Sequence, residues 1–518
     1  MSMSEQGEKT EKNVYDKIVD WFDVKFGFSK TPLQPIPDFT LNPIYWLGLL
    51  LAVTFALQAA TGVFMLLYYV PTTASAYSST QSILTSVPLG SLIETFHLYG
   101  AYAMILLTFL HLVRNFFGSA HKGNRDLMWL VGIALAVVVI SFGVTGYLLP
   151  WTVVSKSASD VAIGFLNFFP TSLATLGRWV AVGSGSDASE LTTFLHIHTV
   201  FLPALLVALL GLKIYMYEVH GPAYVPAYGK PGNGKIYAWF PKIFLYFVML
   251  ASVYVAILLA AASLFPLSLP PAYSATTAGT ITVQPDWYLL WLYQLLKIQI
   301  FEGPLAGYVL ALVIAFGLLL FFMPFYDRSK RRNISQRPFY TTIGAALIFE
   351  LITLTIWGYY TPGRIIPNWQ AIAVLGGVAV ATIVAVQMVY RLYRRTKMAA
   401  SLPAQPATKH SQANPPTNST SATSPLTTVQ PSPQTAHSKK QMLKQASESL
   451  FNRFTAVFII FLVVASVSLE SAVNMLPTVL VNAPFFALAL VAFAVAFIFT
   501  CRMLKNVVLA YEGAVTKK

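Results

Sequence analysis

The stretch HLYGAYAMILLTFLH, running from His97 to His111, carries an imidazole at each end and no charged residue between them. A run this apolar is a buried helix, and a buried polar ring without a partner costs about 1–3 kcal/mol. Fourteen helical steps of about 100° bring the second ring back to within about 40° of the first, about 21 Å further along the same face. One ligand does not reach both rings. Two ligands stacked along the helix do.

The surrounding chain decides what kind of helix this is. Of 518 residues, 56% are hydrophobic and only 10% charged. No ionised side chain occurs between Asp38 and Glu94, between Glu190 and Lys213, or between Lys242 and Asp286. Stretches of that length exceed the ~20 apolar residues that cross a bilayer, so the fold class is all-α and polytopic. Ten spans are expected, at 43–69, 91–114, 127–149, 191–216, 242–266, 304–325, 338–361, 368–392, 452–472 and 482–504. The formal charge of +14 collects in alternate loops: RNFFGSAHKGNR, the segment with Lys230, Lys235 and Lys242, DRSKRRNISQR, and RLYRRTK. That alternation follows the positive-inside rule. It puts the N-terminus in the cytoplasm, makes a plasma-membrane location the expectation, and argues against nucleic acid as a partner. The polar N-terminal forty residues contain no cleavable signal. One cysteine, Cys501, excludes disulfides, cysteine-held iron–sulfur clusters and a CxxCH haem site.

Five regions follow. Residues 1–42 form a cytoplasmic segment in which Val14, Ile18, Trp21 and Phe22 make 13–26 either a helix lying on the inner membrane surface or a solvated one. Residues 43–220 hold the four-helix bundle, and 221–395 the remaining spans of an eight-span body. Residues 396–449, rich in Pro, Ser, Thr and Gln, read as a disordered linker, and 450–518 as a two-span tail. The loop after the third span, and the one from Pro266 to Glu302, are too apolar to be free and read as short surface helices.

The fourth span, FLHIHTVFLPALLVALLGLKIYMYEVHG, also carries two levels of candidate ligands. His196 and His198 lie near one end, and Lys213 comes fifteen residues after His198. Two such helices can clamp two flat macrocycles edge-on, and neutral imidazole is a usual axial ligand of haem iron. The other reading of such histidines is a satisfied core position. Gly48 and Gly62 are fourteen apart in the first span, as are Gly132 and Gly146 in the third, matching the histidine interval. Glycines permit close approach of a ligand, and they also pack membrane helices together.

These residues, with GYLLPW at 146–151 and PDWY at 285–288, resemble cytochrome b, the core subunit of quinol-oxidising bc-type and chloroplast-type complexes. The match runs to the end of the eighth span and has the character of a divergent prokaryotic member of archaeal type. It implies a di-haem four-helix bundle within an eight-helix core, the two C-terminal spans being extra. The haems, b-type or a modified relative, would be held by His97 and His198 at the outer level and by His111 and Lys213 at the inner one. Arg114 matches the family's propionate-binding arginine. The leucine–proline at 202–203 matches the chloroplast branch in making His198 the ligand and His196 a core or pocket residue.

PDWY corresponds to the family's PEWY, so Asp286 would accept a quinol proton. Tyr147 and Tyr288 would shape the pocket, and Pro285, Trp287 and Trp151 would line it. The implied function is quinol oxidation at the outer face. Electrons would pass to a Rieske-type iron–sulfur protein and, through both haems, to a cytoplasmic-side quinone, with proton translocation. Implied partners are quinol and quinone, other respiratory-complex subunits, a terminal oxidase, a second copy in a homodimer, and the lipid bilayer. Three departures stand out: Glu94 where a basic residue is common, Thr193 where an arginine is common, and Lys213 for the fourth histidine. Competing readings are a haem-bearing anchor of a dehydrogenase, a transmembrane reductase, and a cofactor-free transporter.

Overall fold

The computed structural model describes residues 20, 36–37 and 40–399, apart from residue 184, residues 224–235 and five positions between 275 and 281. The helix expected over 13–26 (Asp20 apart), nearly all of the linker and the spans expected at 452–472 and 482–504 lie outside the described residues.

Seven described helices are long and apolar enough to cross a membrane: α1 (Pro43–Leu66), α2 (Gly90–Phe117), α3 (Asp126–Leu148), α4 (Asp187–His220), α5 (Trp239–Leu264), α7 (Pro338–Tyr360) and α8 (Asn368–Arg394). A shorter apolar helix, α6 (Ala306–Phe321), lies between α5 and α7 in the chain. The seven long helices match seven of the eight spans expected of the body, and α6 falls at the position of the remaining one. The span expected at 304–325 is cut short, because a separate turn, Met323–Tyr326, begins just past it with a proline in its first turn. Pro324 offers no N–H and its ring meets the preceding turn's carbonyl. At about 1.5 Å per residue, the 16 residues of α6 extend about 24 Å, less than a ~30 Å hydrocarbon core. Helix continues from α8 to Ala399, into the first positions of the expected linker. Val63, Val207, Ile257, Leu312 and Ile372 are exposed on these helices, the pattern of segments clothed by lipid rather than protein.

Helix α2 packs against α1, α3 and α5, and α3 packs against α4. Met104 of α2, Val138 and Val139 of α3, and Leu202 and Leu206 of α4 form a core that Leu51 and Phe55 of α1 join. That apolar layer separates two levels of polar side chains. Helices α1 and α2 approach closely where Gly100 leaves room: a Cβ there would stand 2.0 Å from Gln58 Nε2. The Gln58 amide thereby reaches across to donate to the His97 carbonyl at 2.9 Å.

Two outer elements position the bundle ends. Strands β1 (Ile36–Pro37) and β2 (Ile236–Tyr237) pair antiparallel, Ile36 opposite Tyr237. Beside them Trp46 packs with Trp239, Tyr246 and Phe247. The expected surface helices are present as Val153–Gly164, Thr171–Val182 and Leu290–Leu296. Thr152 opens the first with a capping box shared with Ser155, and Ser186 opens α4 in the same way with Ser189. Lys156, nearly buried, pairs with Asp160, Asp187 and Glu190, and Ser159 donates to the buried Glu190. Burial favours the neutral amine, but the carboxylates outweigh it and raise the Lys156 pKa.

The chain divides into two compact units, Met1–Asn333 with Ile343–Val380, and Ile334–Thr342 with Ala381–Lys518. All residues discussed below belong to the first. Within the second, Tyr390 donates its hydroxyl to the Ile334 carbonyl and lies 3.0 Å from Thr341 Oγ1.

Candidate functional site

His97 of α2 and His198 of α4 face one another at one level of the bundle, with ring centres 6.5 Å apart. Two imidazoles bound to opposite sides of one metal, each through a bond of about 2.0 Å, stand about 6 Å apart centre to centre. The separation therefore fits a shared axial position. At the other level His111 of α2 and Lys213 of α4 lie within electrostatic range of each other.

Each of the four has a glycine opposite it. A Cβ at Gly62 would stand 3.4 Å from His97 Cε1, and one at Gly146 would stand 2.6 Å from His198 Cε1. A Cβ at Gly48 would stand 3.3 Å from His111 Cε1, and one at Gly132 would stand 2.5 Å from Lys213 Nζ. Helices α1 and α3 thus leave a cradle on both sides of both levels. Lys213 is inside this arrangement: its Nζ is 3.5 Å from the Met128 carbonyl of α3 and points into the bundle, away from the headgroup-directed pose that a lysine near a helix end can adopt.

The threonines preceding Gly62 and Gly146 were not singled out by sequence reasoning, and they fix the ring orientation. Thr61 Oγ1 donates to the Leu57 carbonyl at 2.8 Å and lies 2.8 Å from His97 Nδ1. Thr145 Oγ1 donates to the Ser141 carbonyl at 2.7 Å and lies 3.0 Å from His198 Nδ1. Each hydroxyl proton is already engaged by a backbone carbonyl, so the oxygen accepts, and Nδ1 must carry the proton. That assigns the tautomer whose bare nitrogen is Nε2, the atom free to bind a metal. The Thr-Gly doublets at 61–62 and 145–146 were the available signal.

Helix α4 does not run regularly past His198. Ile197–Phe201 forms a π turn, and Leu202 N–H donates five residues back to the Ile197 carbonyl. Pro203 follows, where an α turn would need an N–H to donate to Thr199. A π turn takes in one residue more than an α turn. The fifteen residues from His198 to Lys213 therefore turn through about the angle of fourteen, the interval of α2. His196 is exposed, which corrects the expectation of a core or pocket residue; two residues from His198, it falls on the opposite side of the helix. His220 is exposed as well, its carbonyl accepting from Arg125 at 2.7 Å.

At the His111 level, Arg114 stacks over the Tyr45 ring at 4.4 Å and donates to Asn115 Oδ1, while its buried Nε has no hydrogen-bond partner. His111 Nδ1 is likewise unpartnered. Orphaned buried donors beside a glycine-lined cradle suit a group that brings its own acceptors.

The PDWY loop meets the bundle beside the His198 level. Gln284 anchors it by donating to the carbonyls of Gly358 and Tyr359 at the end of α7. Pro285 and Asp286 lead into the turn Trp287–Leu289. Asp286 lies within electrostatic range of Tyr147 of α3 and of Tyr288. The Tyr288 hydroxyl donates to the Gly143 carbonyl of α3 at 3.0 Å. Tyr102 of α2, absent from the sequence reading, donates to Asp286 Oδ2 at 2.8 Å. Burial raises the Asp286 pKa above the ordinary carboxylate range, and the Tyr102 hydrogen bond pulls the other way. Trp151 is packed in a different cluster, with Ala76, Leu191 and Tyr273, rather than beside Trp287.

Comparison with known proteins shows which family this chain resembles. A family model described as Cytochrome b/b6/petB matches residues 34–221, and one described as Cytochrome b(C-terminal)/b6/petD matches residues 272–378. Cytochrome b of Sulfolobus acidocaldarius is 33% identical over 403 residues, covering 71% of this chain and 70% of that protein. A cytochrome bc complex cytochrome b subunit of Chlorobaculum thiosulfatiphilum is 28% identical over 349 residues, covering 66% of this chain and 80% of that one. A solved structure titled Hyperthermophilic respiratory Complex III superposes with a TM-score of 0.57 at 25% identity, covering 72% of this chain and 98% of that chain. With the histidine levels, the glycine cradle and the PDWY loop all inside the matched regions, the chain belongs to the cytochrome b family.

Proposed function

We propose that this cytochrome b oxidises quinol in the plasma membrane as a subunit of a bc-type respiratory complex, with its N-terminus in the cytoplasm. The observation that carries the reading is the set of four candidate ligands, each facing its own glycine. Bound haems supply one-electron carriers at two depths of the membrane. His97 and His198 would hold the haem at the outer level, with Nε2 the nitrogen left free for it, and His111 and Lys213 would hold the one at the inner level. Gly48, Gly62, Gly132 and Gly146 keep Cβ atoms out of the space the macrocycles and their ligands need. The unpartnered Nε of Arg114 would donate to a propionate of the inner haem. A lysine coordinates iron only as the neutral amine, which the metal stabilises by competing with the proton.

At the outer face, quinol docks against Pro285, Trp287 and Tyr288, with Tyr147 on the bundle side. Asp286 takes one of the quinol's two hydroxyl protons and releases it outward, and the other leaves to the outer solvent with the first electron's departure. One electron leaves to a Rieske-type iron–sulfur protein and the other towards a quinone at the inner face, so protons are released on one side and taken up on the other. Asp286 acts only when ionised. Because burial raises its pKa, turnover falls as pH drops through a value above the ordinary carboxylate range.

The test is a redox-titrated spectrum of the purified complex, counting two haems, with Asp286→Asn beside it. The variant is expected to lower kcat more than it raises KM and to abolish the acid limb. Unchanged turnover across the pH range refutes the proton role.

A further inference from the structure

We propose that Tyr102 is a positioning residue of the quinol site: its hydroxyl holds one oxygen of the Asp286 carboxylate so that the other faces the quinol hydroxyl. The proposal rests on the reading of Asp286 as the proton acceptor. Tyr102 lies five residues past His97 on α2, within the stretch His97–His111, and belongs to neither GYLLPW nor PDWY.

Asp286 forgoes the bond that its position offers. It precedes the turn Trp287–Leu289 as its N-cap, where an aspartate ordinarily accepts a backbone N–H of that same turn. Here the side chain makes no capping bond. It turns to α2 instead and accepts from Tyr102 at 2.8 Å, a pairing across 184 residues of sequence. Among the described residues, no other hydrogen bond to this carboxylate is formed, which leaves Oδ1 for a substrate. Reach accounts for the pairing. Aspartate is one methylene shorter than the glutamate of the motif it resembles, and a phenol extends far enough from α2 to meet it. The donor itself is also held. The Tyr102 ring lies 6.2 Å from Trp287, 6.3 Å from Tyr288 and 6.4 Å from Tyr99. Tyr99 is pinned by donating to the Phe265 carbonyl at 2.8 Å. The groups facing the carboxyl are Tyr102 from α2, Tyr147 from α3 and Tyr288 from its own loop. The Tyr288 hydroxyl is committed to Gly143, so Tyr102 supplies the hydrogen bond. A bond donated to the ionised carboxylate favours that form, the one able to accept a proton.

Tyr102→Phe keeps the ring and removes the donor. In the isolated complex, haem spectra and the KM for quinol are expected to stay native. The kcat should fall by about tenfold and the acid limb should move to higher pH by about one unit. An infrared pH titration of the Asp286 carboxyl band should move by the same amount. In the Asp286→Asn background, Tyr102→Phe should change nothing further, because the partner is gone.

A native acid limb and infrared midpoint in Tyr102→Phe overturn the proposal, as does an equal loss of turnover in the Asp286→Asn background, which reduces Tyr102 to packing. If Asp286→Asn itself keeps the limb, the proton-acceptor reading fails, while a shifted infrared midpoint in Tyr102→Phe still reports the tether. Should Tyr102→Phe fail to assemble, Tyr102→Gln and Tyr102→Leu replace it. The amide retains a donor and should keep the limb nearer its native position than leucine does, and equal limbs in the pair overturn the proposal.

Discussion

Thr145→Val tests the outer ligand set with the least disturbance, because it removes one oxygen and keeps the β-branched shape. Thr145 Oγ1 passes its proton to the Ser141 carbonyl and presents a lone pair to His198 Nδ1 at 3.0 Å. With valine, the buried Nδ1–H loses its hydroxyl acceptor, and where the Phe142 carbonyl beside the ring does not replace it the cost is about 1–3 kcal/mol. At 1.4 kcal/mol per tenfold, haem retention at that level weakens by roughly 5- to 150-fold. That range overlaps the 10–100-fold loss typical of removing the outer partner of a metal-bound histidine. Threonine and valine have similar helix propensities, so α3 itself is unaffected.

Thr61→Val should act on the same haem from the opposite side through His97, whose Nδ1 lies 2.8 Å from Thr61 Oγ1. Losing the acceptor also makes the imidazole a weaker donor, so the outer midpoint potential should rise while the inner one stays fixed. Haem content per chain and a redox titration resolving two potentials decide the matter. Retention of native stoichiometry and both native potentials in Thr145→Val and Thr61→Val refutes the tethered-tautomer argument. Loss of the inner haem instead refutes the assignment of levels.

Gly146→Ala drives a Cβ to 2.6 Å from a ring that Thr145 already holds, an overpacking of about 1–3 kcal/mol, whereas Gly62→Ala meets His97 at 3.4 Å. Outer-haem content should fall much further in the first variant than in the second, and the reverse order would count against the cradle. Lys213→His should keep both haems and shift the spectrum and potential of one. A Lys213→Ala protein with the low-spin spectrum of both haems intact excludes lysine as a ligand. A chain ending near residue 400 should retain both haems by absorption spectroscopy, since every candidate ligand precedes that point. Loss of both would tie the tail to haem binding.

What could be read from the sequence was whatever repeats at helical spacing. His97 and His111, the two glycine pairs and the uncharged runs each carry an interval, and intervals survive without coordinates. Seven of the eight spans of the body appear where hydropathy put them, and the one expected at 304–325 stops at Phe321. What was missed is tertiary or local to a break. Tyr102 meets Asp286 only because α2 and a distant loop converge, and no interval links them. Thr61 and Thr145 look like ordinary membrane-helix threonines donating to the preceding turn, and their second role depends on where the facing imidazole points. The π turn explains why the step from His198 to Lys213 is one residue longer than that of α2, which a uniform helix turns into a misalignment. His196 was misjudged because proximity in sequence to His198 says nothing about the side of the helix it occupies.

The ribbon joining Ile36 to Tyr237 has a bearing on how the protein is made. Its strands are separated by the entire bundle, about two hundred residues, so β1 waits unpaired while α1 to α4 are synthesised and inserted. At 5–20 residues per second that wait is roughly 10–40 s. The Trp46 ring waits too, since Trp239, Tyr246 and Phe247 arrive only with α5. Closure of this clasp is thus a late biogenesis event, reached only once both helices that carry the candidate ligands have emerged. Haem loading that precedes it would find a bundle open at one end; loading that follows it would need a way in between helices.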